Sequence, residues 1–232
     1  YDQEVMSDVL PLYDWLHLHH EDFTGQYGKF WASYRNKQWY QEDVALQEQT
    51  AKLLGFKKVS QLKLAVAKKI RDFVVGGGFM FAMCSAPDSF DIALAAEGVD
   101  ICSEMFDHDP IDPQAQSKLD FSKCFAFENF TIVTDPYTYE VSNIDVPQSR
   151  ARQVKEKDDL FVLFDFSAKW DWVPTMLTQN HSKIVKGFNG QTTAFMKRYL
   201  KSSVTILGEN ASLEEARYIH GTYGKGTWTH DN

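Results

Sequence analysis

The sequence is poor in the features that would place it at once. It has three cysteines, Cys84, Cys102 and Cys124. Their number and spacing form neither a disulfide framework nor a zinc-ligand pattern, and they do not fix a compartment. No apolar run approaches the roughly 20 residues that a membrane-spanning helix needs. No basic block stands out against a net charge of −8, made of 32 acidic and 24 basic residues, which argues against a nucleic-acid partner. There is no internal repeat and no low-complexity linker. No signal peptide is visible. The chain nevertheless opens on Tyr1 rather than Met and soon enters a strand pattern. That opening is expected of a processed or trimmed product, so an earlier signal peptide stays open.

What is present suits a folded α/β domain. The 232 residues are 44% hydrophobic and 24% charged, enough for one large core. Tyr13 to His19, after Pro11, reads as a strand that ends in the polar run His19-His20-Glu21-Asp22. Phe23 to Trp39, with Gly25, Gly28 and many aromatics, reads as an ordered loop. Two helices follow, Glu42 to Leu54 and Gln61 to Val75. The second puts Leu62, Val66, Ile70 and Phe73 on one face. Gly76, Gly77 and Gly78 then break the pattern. Phe79 to Met83 is the short apolar run of a buried parallel strand. A helix over Phe90, Ile92, Ala93, Leu94 and Ala96 comes next.

Strand, helix, strand, helix in that order predicts a parallel sheet with helices on both faces. Phe125 to Val133, Tyr137 to Val141 and Leu160 to Phe166 are read as strands of an insertion spanning about 100–175. Val173 to Thr178, Ile184 to Phe188, Thr192 to Phe195, Val204 to Leu207 and Arg217 to His220 are further short strands. A turn at Thr222 to Gly226 leads to a last strand from Thr227, ending at His230-Asp231-Asn232. The acidic loop Asp107 to Pro113 reads as solvated rather than metal-binding.

Chemistry concentrates at Cys84. It sits on a strand-to-helix turn with small residues two positions away on each side, Ala82 and Ala86. Ser85 can cap the helix, Pro87 suits its first turn, and Asp88 complements its dipole. This is the form of a nucleophile elbow. The helix N-terminus is expected to lower the thiol pKa and to make Cys84 the fastest-alkylating cysteine. The alternative is a buried cysteine that merely packs.

Three stretches carry a resemblance to known proteins. Tyr13-Asp14-Trp15-Leu16-His17-Leu18 resembles the strand before the elbow in class I glutamine amidotransferase-like folds. Gly77-Gly78-Phe79-Met80-Phe81 and Tyr223-Gly224-Lys225-Gly226-Thr227-Trp228 resemble the glycine-then-strand and closing motifs of the ThuA-like branch. Over most of its length the chain is similar to exported bacterial proteins labelled asparagine synthetase B. His17 to Phe23, Ala82 to Ala96 and Thr178 to Phe195 carry that likeness. Nothing matches the N-terminal-cysteine glutaminase or the pyrophosphatase loop of an authentic enzyme of that name, so the resemblance implies a fold more than that activity. It implies a flavodoxin-like, mostly parallel sheet, an exported or periplasmic location, and a base at His230 in the closing motif. The chain departs from the amidotransferase pattern by carrying Ala82 and Ala86 where that elbow has glycines. It also lacks a His-Pro-Glu sequence and the first strand and helix of the sheet. A missing N-terminal segment or a protein partner is therefore expected to complete the sheet.

Three functional readings follow. In the first, a thiol hydrolase uses Cys84 as nucleophile with His230 or His20 as base, and His19 and His220 as further alternatives. His19, Glu21, Ser85 and Asp88 then contact the substrate. The acidic loop His20-Glu21-Asp22 weighs against oxyanion stabilisation there. In the second, His17, His19 and Glu21 alternate along the strand and hold a divalent metal. No other cofactor is expected. In the third, the fold is a non-catalytic binding or scaffold module, with Trp31, Trp39, Trp170 and Trp172 as contact surfaces. The acidic wall favours a neutral or cationic small molecule, such as a sugar or amide.

Overall fold

A computed structural model describes residues 1–147, 160–163, 184–186, 193–210 and 213–232. The first third builds one layer of helices and two strands. Helix α1 spans Asp2–Met6 and strand β1 spans Trp15–His19. The predicted loop after β1 contains a one-turn helix, α2, at Trp31–Tyr34. Helices α3 (Gln38–Leu53) and α4 (Val59–Gly76) follow, then β2 (Phe79–Met83) and α5 (Ala86–Ala95).

The apolar spacing of α4 explains its packing: Leu62, Val66 and Ile70 are fully buried. The helix stops because Gly77 takes φ +122°, a backbone shape that glycine adopts without a Cβ penalty. Gly77 N–H then donates to Val74 O and Gly78 N–H to Phe73 O, each at 3.0 Å, which closes the last turn. That reversal feeds directly into β2.

The remaining strands are β3 (Leu160–Leu163), β4 (Ile184–Lys186), β5 (Phe195–Met196), β6 (Thr205–Asn210), β7 (Glu215–Tyr223) and β8 (Gly226–Asp231). The sheet is mixed. Its order is β1, β2, β8, β7, β6, β3, β4, with β5 paired to β7. β1, β2 and β8 run parallel, and every other pairing is antiparallel. The predicted parallel sheet thus holds only for the part that carries Cys84. Gly224 and Lys225 join β7 to β8, and so short a loop can only make an antiparallel hairpin. This hairpin docks on the end of α4. A Cβ at Gly226 would stand 2.2 Å from Val74 O, and one at Gly224 2.7 Å from Val75 Cα, so both positions need glycine.

One face of the parallel strands buries Leu18, Met80, Ala82 and Trp228 in the main core with α4 and α5. The other face holds a small cluster of Phe81, Leu207 and Tyr218, and leaves Trp15 and His17 exposed. The sequence pattern predicts helices on both faces; among the described residues they cover one.

The strand-rich insertion is corrected in its first half. Residues 100–147 hold two one-turn α-helices, α6 (Glu104–Asp107) and α7 (Ala115–Lys118), a tighter helical turn at Phe121–Lys123, and only isolated β-bridges. The predicted strand at Phe125 to Val133 fails because side chains satisfy its backbone. The buried Asp91 carboxylate accepts the N–H groups of Phe125, Ala126 and Phe127 at 2.7, 2.8 and 2.9 Å. Gln116 takes Ile132 N–H and donates to Phe130 O. With those groups spent, no ladder forms. The strand predicted at Val173 to Thr178 lies outside the described residues. Among the described residues, no helix is long and apolar enough to cross a membrane.

Candidate active site

Parallel pairing brings three strand ends to one edge. His19 lies opposite Met83, and Met83 opposite Asp231. One step further along stand His20, Cys84 and Asn232. The edge beyond the C-terminal ends of parallel strands is where open α/β sheets place ligands. A cavity of about 500 Å³ opens there. Its lining includes His20, Cys84, Ser85, Asp88, Asp145 and Asn232.

Cys84 has φ +59° and His20 has φ +66°. Both are side-chain-bearing residues in the left-handed region, which costs an L residue about 1–2 kcal/mol. At Cys84 the bend is imposed on both sides: its N–H donates to Asp231 O at 3.1 Å, and α5 begins two residues later. The Sγ of Cys84 and one ring nitrogen each of His19 and His20 lie within 4.8 Å of one another. The two imidazole rings are 4.0 Å apart.

The electrostatics differ from the sequence expectation. Burial, then the nearby carboxylates of Asp231 and Asp145, push the Cys84 thiol up rather than down. His20 is pushed down by burial and by His19, so its imidazole is neutral at pH 7 and free to accept a proton. Asp88, at the start of α5, is buried, and burial together with Asp145 drives its carboxyl up. Asp145 is raised by burial, while the 2.6 Å bond from Asn232 Nδ2 to its Oδ1 opposes the rise.

Other expected residues fall elsewhere. His230 is fully buried, and its ring packs 4.5 Å from Trp228 and 6.4 Å from Phe127, away from the cavity lining. Its register partner is Ala82, two positions short of Cys84, and strand alternation turns it into the core. His220 bonds Thr229 within the sheet. The Glu21 carboxylate folds back onto His19 N–H instead of lining the cavity. The Asp22 carboxylate is bound by the N–H groups of Thr24, Gln26 and Gly28 and by the Thr24 hydroxyl. Asp22 thus holds the loop together, and it also lines the cavity.

The metal set His17, His19, Glu21 is likewise not assembled. The His17 and His19 ring centroids lie 6.4 Å apart, and His17 packs on Phe81 and sits 3.4 Å from Met83 Sδ. Among the described residues the groups that do converge are His19, His20 and Cys84, and Asp100, Cys102 and Asp107. The second group is filled by an ammonium: Lys58 Nζ bonds Asp100 at 2.8 Å, Asp107 at 2.9 Å, and Asp109.

Sequence reasoning misses Asp145, Asn232, Tyr139 and Phe30. Asp145 is delivered by a bridge to Phe195, and nothing local in the sequence announces that. Asn232 lies two residues beyond the histidine that the closing motif singles out. Comparison with protein-family models, curated proteins and solved structures finds no match.

Proposed function

We propose that the chain is an amidotransferase-like thiol hydrolase whose parallel strands are the functional core of a flavodoxin-like sheet. The observation that carries this is Cys84 in a left-handed turn between β2 and α5, with a neutral imidazole beside its sulfur and a cavity above it. Because the thiol is protonated at pH 7, it attacks with base assistance rather than as a preformed thiolate. His20 takes the Sγ proton as sulfur adds to an amide carbonyl carbon. The Ser85 N–H, at the α5 N-terminus, lies where an elbow places an oxyanion donor. His20 then returns the proton to the departing nitrogen, leaving a thioester on Cys84. Water, deprotonated by His20, hydrolyses it.

A binding module without turnover is the second reading, favoured by the acids that hold the thiol up. A panel of primary carboxamides separates the two. The hydrolase releases ammonia, shows an acyl adduct on Cys84 by intact-protein mass spectrometry, and loses both in Cys84→Ser. Turnover that survives Cys84→Ser and disappears with a chelator overturns the thiol mechanism in favour of a metal that His19 and His20 hold without the thiol.

A further inference from the structure

The cavity holds more acid than a thiol mechanism uses. Asp22, Asp88, Glu140 and Asp145 line it, and among the described residues no lysine or arginine does. Neither Asp88 nor Asp145 has an ion-pair partner among the described residues. Asn232, only 3% exposed, also lines it. Its amide is oriented, because Nδ2 donates to Asp145. That leaves Oδ1 as a buried acceptor with no donor. A buried carbonyl oxygen without a partner costs about 1–3 kcal/mol, so its retention calls for a donor from outside. At the mouth, the rings of Phe30 and Tyr139 stand 5.7 Å apart and tilted by 30°, both partly exposed.

We propose that this end of the cavity is a subsite for a primary ammonium group, held by the Asp88 and Asp145 carboxylates and Asn232 Oδ1. The chemistry matches: an ammonium has three N–H donors and no acceptor. Asp88, Asp145 and Asn232 each keep an oxygen to accept them, although Asp88 Oδ1 accepts Ser89 N–H and Asp145 Oδ1 accepts from Asn232 Nδ2. A cation also relieves the repulsion between two buried acids that have no counter-ion of their own. Aromatic faces at the entrance attract the same charge. A free carboxylate on the ligand is disfavoured by the same acids. The ligand class is thus an amine-bearing amide without a carboxylate. The inference rests on the reading of this cavity as the ligand site.

The test uses benzylamine and benzyl alcohol, which differ in little but the ammonium, and reads occupancy as protection of Cys84 from iodoacetamide at pH 7. Cys102 and Cys124 are buried and serve as internal references. Benzylamine is expected to protect at concentrations about tenfold or more below those of benzyl alcohol. Asp145→Asn is expected to bring the two within about threefold, with Asp88→Asn as the second variant should the first not fold. Equal protection by both probes in the natural protein overturns the ammonium subsite and leaves the cavity reading intact. No protection by either overturns both.

Discussion

The left-handed turn at Cys84 makes a signed prediction about stability. Cys84→Ala and Cys84→Gly both remove the sulfur, so its packing is absent from both variants and cancels in their difference. What differs is the backbone. At an ordinary position glycine is less stable than alanine by about 0.5–1 kcal/mol, because the unfolded chain has more freedom to lose. Cys84 has φ +59°, where a Cβ costs about 1–2 kcal/mol and glycine costs almost nothing. The two terms oppose, and the second is larger. Cys84→Gly should therefore be the more stable of the pair by about 0.5–1 kcal/mol, the reverse of the usual order. For a chain of this size that is about 2–4 °C in melting temperature per kcal/mol. Thermal and urea denaturation, followed by circular dichroism, measure it directly. If Cys84→Ala proves equal to or more stable than Cys84→Gly, the turn is not strained and the elbow argument fails.

Two further outcomes follow from buried charges outside the cavity lining. Asp91→Ala strips the acceptor from three buried N–H groups, at about 1–3 kcal/mol each, so urea denaturation should report a loss of roughly 3 kcal/mol or more; a loss under about 1 kcal/mol shows that those groups find other acceptors. Lys29 is buried and donates to Val133 O and Glu140 O at 2.8 Å, and burial pushes its pKa down to about 8. Between about pH 8 and 10.5 the unfolded chain keeps a proton on Lys29 that the folded chain has released, so this residue adds stability as pH rises through that window. The raised cysteines and tyrosines act in the opposite sense. The measurement is therefore the stability of the natural protein minus that of Lys29→Met, which should grow from pH 8 to 10; a flat difference refutes the depressed pKa.

Local pattern determined much of this protein. The 3.6-residue spacing of Leu62, Val66 and Ile70 names α4 and its buried face, and three glycines name its end. The apolar run at Phe79 and the small residues at Ala82 and Ala86 place Cys84 on a strand-to-helix turn. Each of these features depends on residues close in sequence, so one chain suffices to read them. The acidity of the pocket was legible too, with Asp88 named for it, but Asp145 and Glu140 were not.

Tertiary structure alone decided the rest. Register decides whether a residue near the end of β8 reaches the cavity: pairing of Met83 with Asp231 sends Asn232 there and buries His230 in the core. Burial, with two carboxylates from distant segments, raises the Cys84 thiol, and neither is announced by the turn's local sequence. A buried aspartate on α5, with Gln116, cancelled a predicted strand by taking its hydrogen bonds. These effects depend on pairings between residues that lie up to about 150 positions apart, and alternation and spacing along the chain do not encode which of those pairings form.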